Sequence, residues 1–406
     1  MSIYIFLRKR SFMRALLFAG SIFAGSIFAG SILRIALFLG LILPANAYAA
    51  DPIKIGEVGS MTGAQAAFGQ STNNGIKLAV KEINEKGGIK GRKVEVISLD
   101  NQGKPEEAAT ATTRLITRDK VVAIIGEVAS SLSLAMAPIA QRNKIPMVTP
   151  ASTNPKVTEV GDFIFRVCFI DPFQGTVMAQ FAFDTLKVKR VAILRDMKSD
   201  YSVGLSDFFT DALKKMGGEI IVDQSYSSGE VDFNAQLTSI RAKKPDAIFV
   251  PGYYTEAALI AKQARQLGIK IPLLGGDGWD ADKLTEIGGK SLNNTYFSNH
   301  YSQDDVSPIV QSFVKTYKAA YGKAPDSMAV LGYDAAKVLF AAMERTKNVM
   351  PAEIQQELAK TKDFQIVTGK ITLDEKRNAS KSAVVLEVKD GKFVYKTTVN
   401  PTQQKL

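Results

Sequence analysis

Histidine and cysteine are almost missing from this 406-residue chain, which holds one of each, His300 and Cys168. A zinc site of the His/Cys type needs three or four such ligands, so none can be built. An HExxH metalloprotease motif and an intramolecular disulfide are equally impossible. A Ser-His-Asp triad has to recruit His300, and a Cys-His pair has to be Cys168 with His300. The nucleophile elbow G-x-S-x-G and the phosphate loop G-x-x-x-x-G-K-[ST] are absent. Cys168 lies in the apolar run FRVCFI and reads as packing; His300 reads as a satisfied surface or hinge residue. The chain does not read as an enzyme, and no cofactor is expected.

Acidic residues are missing from one region. The first 49 positions carry five basic residues (Arg8, Lys9, Arg10, Arg14 and Arg34) and no Asp or Glu. Arg34 is followed by the apolar run Ile35 to Leu43, the helix breaker Pro44 and the small-residue pattern Ala47-Tyr48-Ala49, the layout of a cleavable export signal. Ahead of it FAGSI is repeated three times from Phe18 to Ile32, a period that suits neither a helical stripe nor a strand. Ala15 to Leu33 is uncharged over 19 residues, so a retained membrane anchor is the alternative, as is a start at Met13. Cleavage after Ala49 leaves 357 residues and takes the formal charge from +11, 51 basic against 40 acidic residues, to +6, 46 against 40. That mild excess is no nucleic-acid footprint, and short groups such as Arg241-Lys243-Lys244 read as solvated faces. A soluble periplasmic product is expected. Its length exceeds one compact core, which points to two domains.

What the chain has in quantity is an alternation of apolar strands and helices. Ile53 to Val58, Lys93 to Leu99, Val121 to Ile125 and Pro146 to Thr149 read as strands, with helices over Ser71 to Lys86, Glu106 to Arg118 and Ser131 to Arg142. The pattern restarts at Val191 to Leu194, Ile220 to Val222, Ala247 to Val250 and Ile271 to Leu274. Such alternation implies parallel sheets covered on both faces, and two series imply two α/β lobes.

Open parallel sheets bind ligands at the carboxyl ends of their strands. Polar and aromatic residues collect in those loops: Ser60, Thr62 and Phe68, then Glu127, Ser130 and Ser131, then Ala151 to Pro155. In the second series they are Asp196 to Tyr201, Gly252-Tyr253-Tyr254 and Gly275 to Trp279. This set suits a small zwitterion. Ser130-Ser131 at a helix start and Thr153 on a proline-bracketed turn offer hydroxyls and amides to a carboxylate. Asp277 suits an ammonium group, and Phe68, Tyr201 and Tyr253 wall off the remainder. Each has a plainer reading: Ser130 as a helix cap, Asp277 as a turn residue, Tyr253 and Phe68 as packing.

The runs GSMTGAQAAFG, NEKGGIKGRKV, IIGEVASS, PMVTPASTNP, GYYTEAA and GGDGW, in this order, resemble the branched-chain amino-acid-binding proteins of bacterial ABC transporters, the leucine/isoleucine/valine-binding family of type I periplasmic binding proteins. The resemblance runs from about Asp51 to the carboxyl terminus. It implies an α/β fold of two doubly wound parallel-sheet lobes joined by three crossovers. One lobe is 51–170 plus 301–380, the other 171–300 plus 381–406, after a signal peptide at 1–49. By position, Ser130, Ala151 (through its backbone) and Thr153 hold the ligand carboxylate, Asp277 and Tyr201 meet the ammonium, and Phe68, Tyr253 and Trp279 line the pocket. The implied partners are an amino acid and a membrane permease, with the binder a monomer. Well-known members that bind leucine, isoleucine and valine have a glutamate at Asp277, a larger aromatic at Phe68 and a disulfide whose positions here are Gly103 and Ala129. The ligand is therefore branched-chain or another apolar or aromatic amino acid, with a small amide as the alternative. Two other roles stay open: a sensor docking on a receptor, and an enzyme on the same fold.

Overall fold

The computed structural model describes residues 51–401. The export signal expected at 1–49, its FAGSI repeat and the end of the tail lie outside the described residues. Among the described residues no helix is long and apolar enough to cross a membrane.

The first sheet is built from β1 (Ile53–Gly59), β2 (Val94–Asp100), β3 (Ile124–Ile125), β4 (Met147–Thr149) and β5 (Ile164–Arg166), all parallel, in the order β2-β1-β3-β4-β5. Period-two alternation sends successive side chains to opposite faces. Ile53 and Ile55 of β1 accordingly join the core under the helices Ala66–Glu85 and Ser327–Arg345, while Val58 joins the one under Pro105–Thr117 and Ser130–Arg142. Burial of both faces is why the strands read as continuous apolar runs.

The second sheet repeats the plan. Its strands β6 (Arg190–Asp196), β7 (Glu219–Tyr226), β8 (Ala247–Phe249), β9 (Leu273–Gly275) and β10 (Thr295–Asn299) lie in the order β7-β6-β8-β9-β10. In both sheets the strand order reverses beside the first strand of the series, the switch point where such folds open a crevice. After a small sheet of β11 (Phe364–Ile366), β12 (Gly369–Leu373) and β13 (Ala379–Ser380), two further strands join the second sheet. These are β14 (Ala383–Lys389) and β15 (Lys392–Val399), both antiparallel. The second sheet is therefore mixed rather than purely parallel as expected from the alternation. The reason is that β14 lies beside β10 in the opposite direction; a hairpin then returns the chain as β15, with Asp390 and Gly391 both at positive φ, 50° and 75°, as a tight two-residue turn requires.

The chain passes between the halves three times, at 167–170, from 300 onwards and at 381–382. Helix Ala66–Glu85 starts five residues before the expected Ser71, because the Ala-rich stretch after Gln65 already favours helix. That extension carries Phe68 into the first turn.

Candidate functional site

Each loop of the site is fixed by buried polar chemistry behind it. Glu127 is fully buried, and its carboxylate accepts from Ser60 Oγ at 2.9 Å, Asn101 Nδ2 at 3.0 Å and the Ala129 amide at 2.6 Å. It thereby ties together the loops after β1, β2 and β3, and burial raises its pKa. Arg166, also fully buried, donates from Nη2 to Asn154 O at 2.8 Å and Thr158 Oγ1 at 3.1 Å and from Nη1 to Ser152 O, pinning the turn between Pro150 and Pro155. Burial lowers the Arg166 pKa. Neither residue touches the cavity; both aim the loops that do.

The cavity at the carboxyl ends of the two sheets is lined by Phe68, Val128, Ser130, Ala151, Tyr201, Tyr253, Asp277, Gly278 and Met328. Six of the eight expected site residues are therefore brought together from both lobes. Phe68 comes from the first turn of its helix, and Ser130 is the first residue of Ser130–Arg142, whose cap position is Ala129. The Ser130 hydroxyl makes no cap; it accepts from the Asn154 amide at 3.3 Å. Tyr201 is the second residue of the helix Asp200–Lys215, capped by Ser199, whose hydroxyl accepts from the Ser202 amide at 3.2 Å. Tyr253 precedes the helix Tyr254–Gln266, and Asp277 opens the 3-10 turn Asp277–Trp279.

Two expected residues lie elsewhere. Trp279 was expected on the pocket wall, but its ring is fully buried behind the site against Gly275 and Phe297, with Nε1 donating to Val250 O at 3.1 Å. A 3-10 turn directs side chains about 120° apart, so the residue two after Asp277 faces the core. Thr153 is buried off the cavity wall. Its carbonyl accepts from the Asp171 amide at 3.0 Å, and its Oγ1, like Asp171 Oδ2, has no partner within hydrogen-bonding reach. The two side chains are still close enough for the hydroxyl to pull the Asp171 pKa down against burial, which raises it to about 7. Val128 and Met328 went unnoticed in the sequence. Val128 follows Glu127 in a loop already singled out; Met328 comes from a distant helix and gave no signal.

Asp277 is the chemical centre. Tyr201 Oη donates to its Oδ1 at 2.9 Å and itself accepts from the Gly278 amide at 3.2 Å. A side chain at Gly276 would put Cβ 2.3 Å from Tyr201 Oη, so only glycine lets the phenol approach the acid. His300 Nε2 lies 2.9 Å from Asp277 Oδ2 with the imidazole fully buried, and burial lowers its pKa to about 4. His300 is thus no surface residue: it lies at the crossover as expected, but within the Asp277 cluster. The Asp277 amide donates to Gln174 Oε1 at 2.8 Å. Burial and the neighbouring Asp277 raise the Tyr201 pKa well above that of a free phenol.

Aromatic rings close the rest. Tyr201 and Tyr253 stack at 5.3 Å, and Phe68 meets Tyr253 and Tyr254 edge-on at 5.8 and 4.8 Å. Direct bonds also cross the cleft. The Ser131 hydroxyl donates to Asp200 Oδ2 at 2.9 Å and accepts from the Asp200 amide at 3.0 Å; Tyr254 Oη donates to Ala64 O at 2.7 Å. The enclosed space is about 10 Å³, roughly one water molecule, so the rings and lobes must part to admit anything larger. Larger hollows exist, such as one of about 570 Å³ beside the hinge lined by Tyr301, Val306 and Tyr395. Its carboxylates, Asp304 and Asp305, are exposed to solvent, whereas Asp277 is buried and held by two neutral donors, and chemistry rather than volume identifies the site. No group of three or more His, Cys, Asp or Glu able to hold a metal ion occurs among the described residues.

The family model described as "Periplasmic binding protein" matches residues 52–392. An amino acid binding protein of Pseudomonas aeruginosa is 31% identical over 363 residues, 89% of this chain and 96% of that protein. Among solved structures, a leucine binding protein of Thermotoga maritima is 46% identical with a TM-score of 0.83, covering 87% of this chain and all of that one. A branched-chain amino acid transporter substrate binding protein of Streptococcus pneumoniae, in complex with isoleucine, is 36% identical with a TM-score of 0.82, covering 86% of this chain and all of that one.

Proposed function

The chain belongs to the periplasmic binding protein family, and we propose that it captures an apolar, branched-chain amino acid between its lobes and delivers it to an ABC transporter permease. It does so as a periplasmic monomer, after loss of residues 1–49. The lobes are 51–170 with 301–380 and 171–300 with 381–406. The observation that carries this reading is that one cavity is lined both by a buried carboxylate, Asp277, and by a helix start with a hydroxyl, Ser130. An α-amino acid carries the complementary ammonium and carboxylate in one small molecule. Its carboxylate meets Ser130 and the Ala151 backbone; its ammonium meets Asp277, oriented by Tyr201; its side chain packs on Phe68, Val128, Tyr253 and Met328. Because each lobe supplies part of these contacts, the ligand favours the closed arrangement by its differential affinity.

A thermal-shift and calorimetric screen of the mature chain tests this. L-leucine, L-isoleucine and L-valine should stabilise it by about 2.7 kcal/mol at a hundredfold excess over Kd. Aromatic acids and short amides serve as the competing classes. No shift with any α-amino acid would sink the proposal.

A further inference from the structure

His300 is the only histidine of the chain, fully buried, and absent from the set of residues that the loops announce. Its Nε2 faces Asp277 Oδ2 at 2.9 Å, while Nδ1 is buried with no hydrogen-bond partner. A carboxylate only accepts, so Nε2 carries the proton and donates; a proton on Nδ1 would have nowhere to go. The ring is therefore a neutral imidazole with a defined tautomer. The other oxygen, Oδ1, takes the Tyr201 hydroxyl, whose own lone pair is held by the Gly278 amide. Both oxygens of Asp277 are thus gripped by donors without charge. A lysine or arginine in either place would orient the acid equally well but cancel its charge. Neutral donors fix its direction and leave its charge for a cation.

The surroundings keep the ring in this state. Phe169, in the first crossover, stacks on it at 3.8 Å between centroids and 21° between planes. Residue 300 itself begins the second crossover, and Lys381, in the third, disfavours a positive imidazole by its charge. The first connection thus contacts the ring, the second carries it, and the third acts on it through charge.

We infer that His300 is a positioning residue for amino-acid recognition: as a neutral Nε2–H donor stacked on Phe169, it holds Asp277 in the orientation that receives the ligand's ammonium. The inference rests on Asp277 being the ammonium acceptor. Two measurements test it, the first without any ligand. Imidazole nitrogen NMR of the labelled wild-type protein reports one residue without assignment. At pH 7 the Nε2–H neutral tautomer is expected; an imidazolium or an Nδ1–H tautomer overturns the inference even if the protein folds and binds. The second is calorimetry with L-leucine. His300→Leu should weaken binding about 10- to 100-fold, the range for a lost hydrogen bond to a charged group. His300→Gln, which keeps a donor near the Nε2 position, should recover most of that loss. In an Asp277→Asn background His300→Leu should cost less than about threefold. Equal cost in both backgrounds, or no recovery by Gln, reduces His300 to packing and overturns the inference. Failure of the wild type to bind any amino acid sinks the functional reading instead, and the tautomer then still decides whether His300 and Asp277 form the donor–acceptor pair.

Discussion

At the scale of single residues the site consists of a few charges whose neighbours are chosen to be neutral. In the proposed binding mode Asp277 supplies the charge, Tyr201 and His300 orient it, and Ser130 offers a hydroxyl from the other lobe. Asp277→Asn preserves shape but removes the charge and turns one of the two accepting oxygens into an NH2 donor, so it also loses one of the bonds from Tyr201 and His300. It should weaken L-leucine binding at least 100-fold in calorimetry, apart from the loss of about 1–3 kcal/mol from one buried hydrogen bond, which the melting temperature of the ligand-free protein reads separately. His300 also predicts an acid limit. Its folded pKa is depressed, to about 4, because the protonated ring cannot be solvated where it sits. The unfolded chain takes up the proton below about pH 6.5 and the folded one does not. Stability due to this group is complete above about 6.5 and falls as the pH drops toward 4. Asp171 and Glu57, both raised by burial to about 7, act in the opposite sense over part of that range, so the comparison has to be made between variants. Denaturant titrations of wild type and His300→Gln should run parallel above pH 6.5 and converge or cross below it, the wild type losing more.

At the scale of elements, the helices that form the floor of the first half depend on close approach. A Cβ at Gly75 would lie 1.9 Å from Ala329 O, and one at Gly332 would lie 2.5 Å from Thr72 O, so the helices Ala66–Glu85 and Ser327–Arg345 touch backbone to backbone. Gly75→Ala should destabilise the protein by about 1–3 kcal/mol or more, against the usual gain of alanine in a helix, with the loss read from the urea midpoint. Most elements of the two series were legible from the sequence, since strands buried on both faces show as short apolar runs. The hairpin of β14 and β15 was not read, although Asp390-Gly391 between alternating segments is a turn signal. β15 is half-exposed, so its run KFVYKTTV lacks the apolar density that marks the other strands.

At the scale of the whole molecule, closure is held partly by direct bonds between the halves. The Ser131–Asp200 pair, the Asn154 Nδ2 bond to Asp200 O at 2.8 Å and the Tyr254 bond to Ala64 O all cross the cleft outside the cavity. Asp200→Ala removes an acceptor from this latch without touching the cavity wall. It should speed ligand dissociation about 3- to 10-fold with little change in association, measured by stopped flow, and raise the radius of gyration of the ligand-free protein in small-angle scattering. With its single cysteine buried and its thiol pKa pushed up to about 12, the molecule has no disulfide to brace the lobes. Packing and these polar contacts carry that task.

The sequence by itself determined the alternation of strands and helices, the placing of polar loops at one end of each sheet, and the exclusion of His/Cys zinc sites and of an intramolecular disulfide. These are local or compositional properties: periodicity, turn residues and counts survive without knowledge of distant contacts. Which loop residues face the cavity was decided only in three dimensions. Trp279 and Asp277 are two positions apart, yet a turn sends one to the core and the other to the site. Met328 and His300 reach the cluster from far along the chain, brought there by a helix and a crossover whose positions depend on packing of both halves. A lone histidine carries no pattern in sequence; it acquires a role only where the fold gives it a partner for one nitrogen and none for the other.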